Sequence, residues 1–576
     1  MRNLEISNLL YEIADILEIK GVEWKPRAYR KAAKSIESLS EDIELIYKKG
    51  GKKAIMQIPG IGESIANHIE EYLLTGKVKE WESLTKKLPK GVEELMKIEG
   101  LGPKKVELLY KQLKIKNIRE LEEAIKKHKL LKLRGFGAKT EENILRGINL
   151  FRKGQKRIPL GIALPVAESI VNKLKKLSCV NNVSYAGSLR RMMDTIGDID
   201  ILITSKNSEE VMKFFTNMPD VIRVISKGST KSTVIIKENI QCDLRVVDNK
   251  SFGSALQYFT GNKEHNIKLR EIAIKKGLKL SEYGLFENRT GKMVAGANEE
   301  EIYQKLGLQF IEPELRENRG EIEAAQKRKL PYLLKSNDIK GDFHVHSKWS
   351  DGFDDIKTMV ETAKSMGYEY IALTDHSKTR AIAHGLTESR IKKQWQEIEK
   401  LNSNLQNFKI LKSAEVDILP DGSLDYPKEI LKKLDVVVAA VHSGFKMGKA
   451  EMTKRIIKAL ENEYLDILAH PTGRLINKRE PYDVDIEKIF EAAKSNNKYI
   501  EVNAFPERLD IKDIYIKTAI EKGIKLTIGT DSHSKEHLRF INFGVAQARR
   551  GWAKKEDILN TNPLKKLPKY FRRLEI

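Results

Sequence analysis

Two aspartates one residue apart, Asp198 and Asp200 in Gly197-Asp198-Ile199-Asp200-Ile201-Leu202, have a spacing that points to chemistry. A β-strand alternates faces at every residue, so both carboxylates share a face. Like charges so placed are costly unless a cation neutralises them. A third carboxylate, Asp243 in Cys242-Asp243-Leu244-Arg245, lies on a later β-rich run that can pair alongside. Three such groups can hold two divalent ions about 3.5–4 Å apart, which activates an attacking oxygen and steadies a leaving phosphate. Upstream, Gly187-Ser188-Leu189-Arg190-Arg191 offers a turn whose N–H groups and hydroxyl suit terminal phosphates. Arg190 and Arg191 add charge-assisted bonds. D-x-D alone reads equally as an exposed strand with incidental acids; the glycine-serine turn at this spacing speaks against that.

A second constellation fills the C-terminal part, where eight of the 11 histidines fall. His344-Val345-His346 puts two imidazoles on one strand face, and Asp351 follows in Ser350-Asp351-Gly352. His376 ends Leu373-Thr374-Asp375-His376, Glu415 lies in Ala414-Glu415-Val416-Asp417, and His442 ends Val441-His442. His470 precedes Pro471, and Asp531 and His533 lie in Gly529-Thr530-Asp531-Ser532-His533. Imidazoles mixed with carboxylates suit Zn²⁺, Mn²⁺ or Fe²⁺. This many ligands exceeds the need of one ion, so two or three are implied. An ion that acidifies water beside a phosphoester gives hydrolysis. His384 and His537 lack the strand-end placement and stay outside the set. Asp375 reads as a support that orients a histidine, and Arg474 and Arg508 as candidate phosphate holders or surface charges.

The N-terminal 150 residues carry a third signal. Apolar-Gly-apolar-Gly recurs three times at intervals of about 35–40 residues, with Gly60 and Gly62, Gly100 and Gly102, and Gly135 and Gly137. Glycine permits the positive φ of a tight turn. The turn leaves N–H groups at the next helix N-terminus, where the helix dipole favours phosphate. Such a helix-hairpin-helix pattern grips DNA backbone without reading sequence.

The elements that must position these residues follow from periodicity. Residues 1–150 are helical, with apolar residues at three-to-four spacing such as Leu9, Ile13, Ile16 and Leu17. Residues 160–255 mix helices with β-rich runs at 199–204, 232–236 and 242–247. Residues 256–325 read as helical again, and 326–338 as a polar, basic linker. Beyond it, strands near 370–374, 410–415, 436–442, 465–470, 499–503 and 525–530 alternate with helices, which implies parallel strands with the ligands at one rim.

The net charge of +23 is spread along the chain and favours a polyanion, above all nucleic acid. Two cysteines, Cys179 and Cys242, exclude a disulfide framework or a Cys-rich zinc site. The absence of a signal-like segment or a long apolar run leads us to expect a soluble, intracellular, cytoplasmic protein.

Glycine-serine, D-x-D and a third Asp, followed by Tyr258-Phe259-Thr260-Gly261, Asn266 and Arg270, resemble the family X DNA polymerases, the DNA polymerase beta group, over residues 3–323. The resemblance implies that Asp198, Asp200 and Asp243 bind two Mg²⁺ or Mn²⁺ ions, with Asp243 accepting the primer 3′-hydroxyl proton. It implies that Gly187, Ser188, Arg190 and Arg191 meet the triphosphate. Tyr258 and Phe259 would pack under the sugar, with Gly261 also at the nucleotide, Asn266 at the base edge and Arg270 at the template. The family's lyase lysine position holds His68 here, and a supporting lysine position holds Ser64. Activity through the usual Schiff base is therefore not expected. The neighbouring Arg27-Ala28-Tyr29-Arg30-Lys31 does match, and leaves Lys31 or Lys34 as substitutes.

Residues 338–576 resemble the polymerase-and-histidinol-phosphatase (PHP) domain, through H-x-H, S-D-G, T-D-H, A-E-V-D, V-H, H-P and G-T-D-S-H in order. The resemblance implies a distorted seven-stranded α/β barrel whose site of two or three ions is made by His344, His346, Asp351, His376, Glu415, His442, His470, Asp531 and His533. The expected architecture is multidomain α/β. It comprises a helical DNA-binding domain (1–88), a helix-hairpin-helix domain (89–158), a nucleotidyltransferase palm (159–255), a nucleotide-selecting thumb (256–325), the linker (326–338) and the PHP phosphoesterase (339–576). The expected substrates are gapped DNA and deoxynucleoside triphosphates, joined to 3′→5′ trimming or related 3′-phosphate or abasic-site hydrolysis. The rival readings are a small-molecule phosphatase in the C-terminal half and a DNA-binding scaffold without activity.

Overall fold

The computed structural model describes residues 157–575 without a break and most of 2–151. Outside the described residues are 1, 20–21, 23, 38–42, 80–93, 96–97, 99–100, 102, 134, 139, 143, 146, 149–150, 152–156 and 576.

Helices Arg2–Ile19, Lys25–Glu37, Ile43–Met56 and Glu63–Thr75 form the first unit. Their three-to-four apolar spacing buries Ile6, Leu10, Ile13, Ile36, Ile65 and Ile69 in one cluster. A second helical cluster gathers Leu101, Val106, Leu109 and Leu121 around Pro103–Leu113 and Ile118–Lys126. Asn117 caps the latter helix, its side chain accepting from Glu120 N at 2.9 Å.

The next unit is a five-stranded sheet with strands β1 (Val180–Tyr185), β2 (Ile199–Ser205), β3 (Val221–Lys227), β4 (Lys231–Ile236) and β5 (Ile240–Val246), in the order β1-β2-β5-β4-β3. The β2–β5 pair is parallel and the others are antiparallel. Helices Phe252–Thr260 and Lys263–Lys275 lead into a three-stranded antiparallel meander, β6 (Leu278–Ser281), β7 (Gly284–Glu287) and β8 (Met293–Ala295). This meander corrects the helical reading of 256–325. Strands of three or four residues are too short to show a period of two.

The C-terminal unit is a seven-stranded parallel sheet, β9 (Gly341–Val345), β10 (Tyr370–Leu373), β11 (Lys409–Asp417), β12 (Val436–Ala440), β13 (Ile467–Leu468), β14 (Tyr499–Asn503) and β15 (Leu526–Gly529), in sequential order. It nearly closes: past the end of β15, His346 N donates to Ser532 O at 2.8 Å and Ser532 N to His344 O at 3.3 Å. Strands such as Val436–Ala440 are apolar on both faces because helices cover the outside and side chains fill the inside.

The segment read as a linker is docked through three buried leucines. Leu330 and Leu333 join the core of the meander unit, and Leu334 joins the barrel core. Leu334 N donates to Ala553 O at 3.0 Å. The barrel and the five-stranded unit also share a seam. Ile476 and Leu509 from the barrel are buried in the sheet's core. Arg474 pairs with Asp194 at 2.9 Å, and Asn477 Nδ2 donates to Arg157 O at 2.9 Å. Gly161 lies so close to Pro506 that a Cβ there would overlap it.

Candidate active sites

The first site stands at the β2–β5 boundary. Parallel register sets Asp200 directly beside Asp243, and Asp198 lies one residue before β2 on the same face. Asp200 is the most enclosed. Burial, then the neighbouring charges of Asp198 and Asp243, push its carboxyl up to about 7. Burial and Asp243 also raise Asp198. Lys231 Nζ approaches Asp243 at 3.6 Å. Asp198 and Asp200, which resist ionisation in isolation, suit a divalent ion whose charge makes the ionised form favourable. The first residue of the glycine-serine turn is fixed by this packing. Gly187 has φ +63°, and a Cβ on it would stand 2.5 Å from Asp200 Oδ2.

The two arginines after that turn are already engaged. Arg190 holds buried Glu299 through two nitrogens, at 2.9 and 2.6 Å, and donates to Thr260 Oγ1 at 2.7 Å. Fully buried Arg316 holds the same carboxylate at 2.6 Å. Arg190 thus joins the palm-like sheet to the following unit, a role its sequence neighbourhood does not reveal. Arg191 donates from Nε to Glu317 at 2.8 Å and from Nη1 to Thr260 O at 2.5 Å. Ser188 is half-buried in the same turn.

Tyr258 and Phe259 end helix Phe252–Thr260 and pack edge to face at 5.1 Å. The Arg245 guanidinium sits 4.6 Å over the Phe259 ring. Gly261 follows with φ +68°. Asn266 is buried, donating to Tyr258 O at 2.7 Å and accepting from Gln257 Nε2 at 2.7 Å. These bonds use one of its two N–H donors and one acceptor position of its carbonyl. Arg270 is exposed on the same helix.

The hairpin glycines behave alike where they are described. Ile61 N donates to Ile58 O, Leu101 N to Ile98 O and Phe136 N to Leu133 O, at 3.0 to 3.1 Å. Gly60 and Gly135 take φ of +86° and +87°. Gly62 is the extended N-cap of Glu63–Thr75, and Gly137 O accepts from Thr140 N at 2.8 Å. Gly100 and Gly102 lie outside the described residues. His68 is buried, and its Nδ1 is 2.9 Å from Tyr29 Oη. Lys31 packs its stem against Gly60. The Lys34 side chain lies outside the described set.

The second site is the C-terminal rim of the barrel. Its potential ligand atoms fall into three overlapping groups: His346, Asp351, His376 and His533; His344, His346 and Asp531; and His376, Glu415 and His442. In each, the atoms lie within 4.8 Å of one another, and among the described residues such groups occur only here. His470 joins through Glu415, its Nε2 2.8 Å from Oε1. Glu415 is central, with His442 Nε2 at 2.9 Å and His376 Nδ1 at 2.8 Å. His346 Nε2 is 3.3 Å from Asp531, and His533 Nε2 is 3.3 Å from Asp351.

These buried groups converge on Glu415 and Asp531 but satisfy one another only in part. His346 Nδ1 and His470 Nδ1 meet no partner in hydrogen-bond geometry, and His344 Nε2, His346 Nε2, His376 Nδ1 and Glu415 Oε2 make close ionic contacts without well-aligned hydrogen bonds. An unpaired buried polar atom costs about 1–3 kcal/mol, so a cluster of them implies ions. Burial opposes charge on His533 and His442, but Asp351 for the first, and Glu415 and Asp417 for the second, lift both to about 9.

The supports around the ligands differ from the sequence reading. The Asp375 carboxylate makes no hydrogen bond to a histidine. It accepts from Ser347 N and Oγ, from Ser350 Oγ and from Gln394 Nε2 at 2.5 to 2.9 Å, and so fixes the loop that presents Asp351. Histidine orientation falls to two other acids. Glu501 lies 2.6 Å from His344 Nδ1 and accepts from His470 N at 2.8 Å. Asp417 contacts His442 Nδ1. Asp417 stood two residues past Glu415 and alternation could have found it; Glu501 sits mid-strand in an unremarkable run. Arg508 Nε is 3.2 Å from Asp531 at the rim, whereas Arg474 is spent on the inter-unit seam. His537 is closer than its position in the chain implied: its Nδ1 accepts from His533 N at 3.3 Å.

Family models match for a helix-hairpin-helix domain (1–78), a SAM-like helix-hairpin-helix tandem (92–149), the DNA polymerase beta palm (157–266), the DNA polymerase beta thumb (255–317) and the PHP domain (342–505). The chain is 40% identical over 580 residues to a protein of Bacillus subtilis (strain 168) named DNA polymerase/3′-5′ exonuclease PolX, covering 100% of both chains. It is 24% identical over 341 residues to DNA polymerase lambda of Rattus norvegicus, covering 54% of this chain and 56% of that one. A probable phosphatase of Thermoanaerobacter sp. (strain X514) is 33% identical over 204 residues, covering 33% of this chain and 78% of its own.

Proposed function

We propose, from the premise that this chain belongs to the bacterial family X DNA polymerases of the PolX type, that it fills short gaps during DNA repair and trims 3′ ends from the same substrate. It is a DNA-directed DNA polymerase and a 3′→5′ exonuclease, both metal-dependent. The observation that carries the reading is that one docked chain holds two separate clusters, three adjoining carboxylates on the palm sheet and the convergent histidines and acids of the barrel rim. The probable phosphatase of Thermoanaerobacter covers only 33% of this chain, and a small-molecule substrate would leave the hairpins without a role.

In this reading Asp198, Asp200 and Asp243 hold two Mg²⁺ or Mn²⁺ ions, and Asp243 accepts the proton of the primer 3′-hydroxyl. Divalent ions supply charge neutralisation at the transferring phosphoryl group. The Gly187–Ser188 turn and Arg191 hold the triphosphate of an incoming deoxynucleotide, while Arg190 fixes the thumb through Glu299 and contributes positioning. Tyr258 and Phe259 lie beneath the sugar, and Asn266 meets the base edge. Arg270 faces the template. The hairpin turns at Gly60–Gly62, Gly100–Gly102 and Gly135–Gly137 grip phosphates on either side of a gap.

At the barrel, His344, His346, Asp351, His376, Glu415, His442, His470, Asp531 and His533 hold two or three Zn²⁺, Mn²⁺ or Fe²⁺ ions. Glu501 and Asp417 set the tautomers of His344 and His442. Arg508 takes a non-bridging oxygen of the scissile phosphate. The protein works in the cytoplasm, where its DNA lies. The test is a 5′-labelled primer on a one-nucleotide gap with Mn²⁺. With nucleotides the primer should lengthen by one; without them it should shorten stepwise. A chain that releases phosphate from small phosphomonoesters and leaves the primer intact would sink the reading.

A further inference from the structure

Helix Ile541–Arg550 belongs to the barrel half, yet its last residue ends inside the polymerase half. Arg550 is 4% exposed. Its guanidinium donates to Arg191 O at 2.7 Å, to Glu317 Oε1 at 3.2 Å and to Asp513 Oδ2 at 2.5 Å. Glu317 Oε1 also accepts from Arg191 Nε at 2.8 Å, and its other oxygen from Asn262 Nδ2 at 3.1 Å. Asn262 in turn caps helix Lys263–Lys275, its Oδ1 accepting from His265 N at 2.9 Å. That helix carries Asn266 and Arg270. Arg319 closes the group by pairing with Asp513 at 2.8 Å.

Arg550 therefore touches the nucleotide turn directly and the thumb helix through one carboxylate. Arg191 is held at its carbonyl by Arg550, at Nε by Glu317 and at Nη1 by Thr260 O. Without Arg550, Glu317 loses one of its two arginines and Asp513 keeps only Arg319. A planar five-donor fork can serve three acceptors at once; a lysine ammonium lacks that geometry.

We propose that Arg550 is a positioning residue for nucleotide addition, through which the phosphoesterase half holds Arg191 and the thumb helix in place for the incoming triphosphate. This rests on the polymerase reading above. The role predicts a selective effect, because the histidine cluster draws nothing from this node.

The experiment uses full-length protein on the one-nucleotide gap with Mn²⁺ and varied nucleotide. Arg550→Met should raise KM for the nucleotide about tenfold and change kcat less than about threefold, within the range of couplings carried by packed networks. Arg550→Lys should fall between. Adding Glu317→Gln to Arg550→Met should raise KM little further, since the node is already lost. The 3′-trimming rate, read on the same samples, should stay within about twofold of wild type, which also reports that the variants fold. An unchanged KM in Arg550→Met overturns the proposal. So does a common fall in KM-normalised extension, kcat, trimming and melting temperature, which is the mark of a merely structural contact. A wild type that fails to extend primers overturns the polymerase reading itself, and this inference with it.

Discussion

Replacing Gly187 with alanine tests how tightly the nucleotide turn and the metal carboxylates are packed. The new Cβ would stand 2.5 Å from Asp200 Oδ2, and ordinary van der Waals contact begins near 3.4 Å. The carboxylate must therefore retreat by about 1 Å, or the turn must shift by the same amount. Alanine at φ +63° adds about 1–2 kcal/mol of backbone cost. For a unit of this size that lowers the melting temperature by a few degrees, about 2–4 °C per kcal/mol. The stability cost stays modest because a carboxylate end can swing aside. Catalysis is less tolerant: about 1 Å of misplacement can reduce a rate about 10²-fold. Single-turnover insertion of one nucleotide should therefore slow about 10²-fold, while 3′ trimming stays within about twofold. Insertion within about threefold of wild type, in a protein that melts normally, would refute the claim that Gly187 sets the position of Asp200.

The barrel offers the mirror experiment: a Cβ at Gly529 would press on Glu501 and His344, so Gly529→Ala should depress trimming at least about tenfold and leave insertion intact. Glu501→Gln removes the charge that orients His344; barrel metal affinity, measured by competition with a chelator, should fall about 10- to 100-fold. Glu299 is pressed up by burial but held at about 2 by Arg316 and Arg190, below the unfolded carboxylate value of about 4.3. Its stabilisation is fully present above that unfolded value and is lost as pH falls toward 2. The melting temperature of Glu299→Gln should therefore be lower than wild type near neutrality, and the gap should narrow between about pH 4 and pH 2. A gap constant across that window would refute the assignment.

The residues most legible in the sequence were those fixed by local periodicity. Asp198 and Asp200 share a face because strands alternate, and parallel pairing then brings Asp243 alongside. The barrel ligands stand within or just beyond successive strands, so a strand-helix rhythm was enough to gather them. Partners chosen across long separations left no such mark. Arg190 is taken up by Glu299, 109 residues away, and Arg474 by Asp194, 280 residues away. Glu501 reaches His344 across 157 residues from the middle of a strand. The 326–338 segment read as a tether because its charges dominate its composition; three leucines, Leu330, Leu333 and Leu334, decide its docking. Asp375 adjoins His376 in the chain, but its backbone turn aims it at the serines of the preceding loop instead.

The most direct test of two independent centres uses one substrate and two double variants. Asp198→Ala/Asp200→Ala and His344→Ala/His346→Ala would be run beside wild type on the labelled one-nucleotide gap with Mn²⁺, with and without nucleotides. The account predicts that the first loses extension and keeps trimming, and that the second loses trimming and keeps extension. Trimming that survives unchanged in the histidine variant would contradict it, because the barrel rim would then not be where the 3′ end is cut.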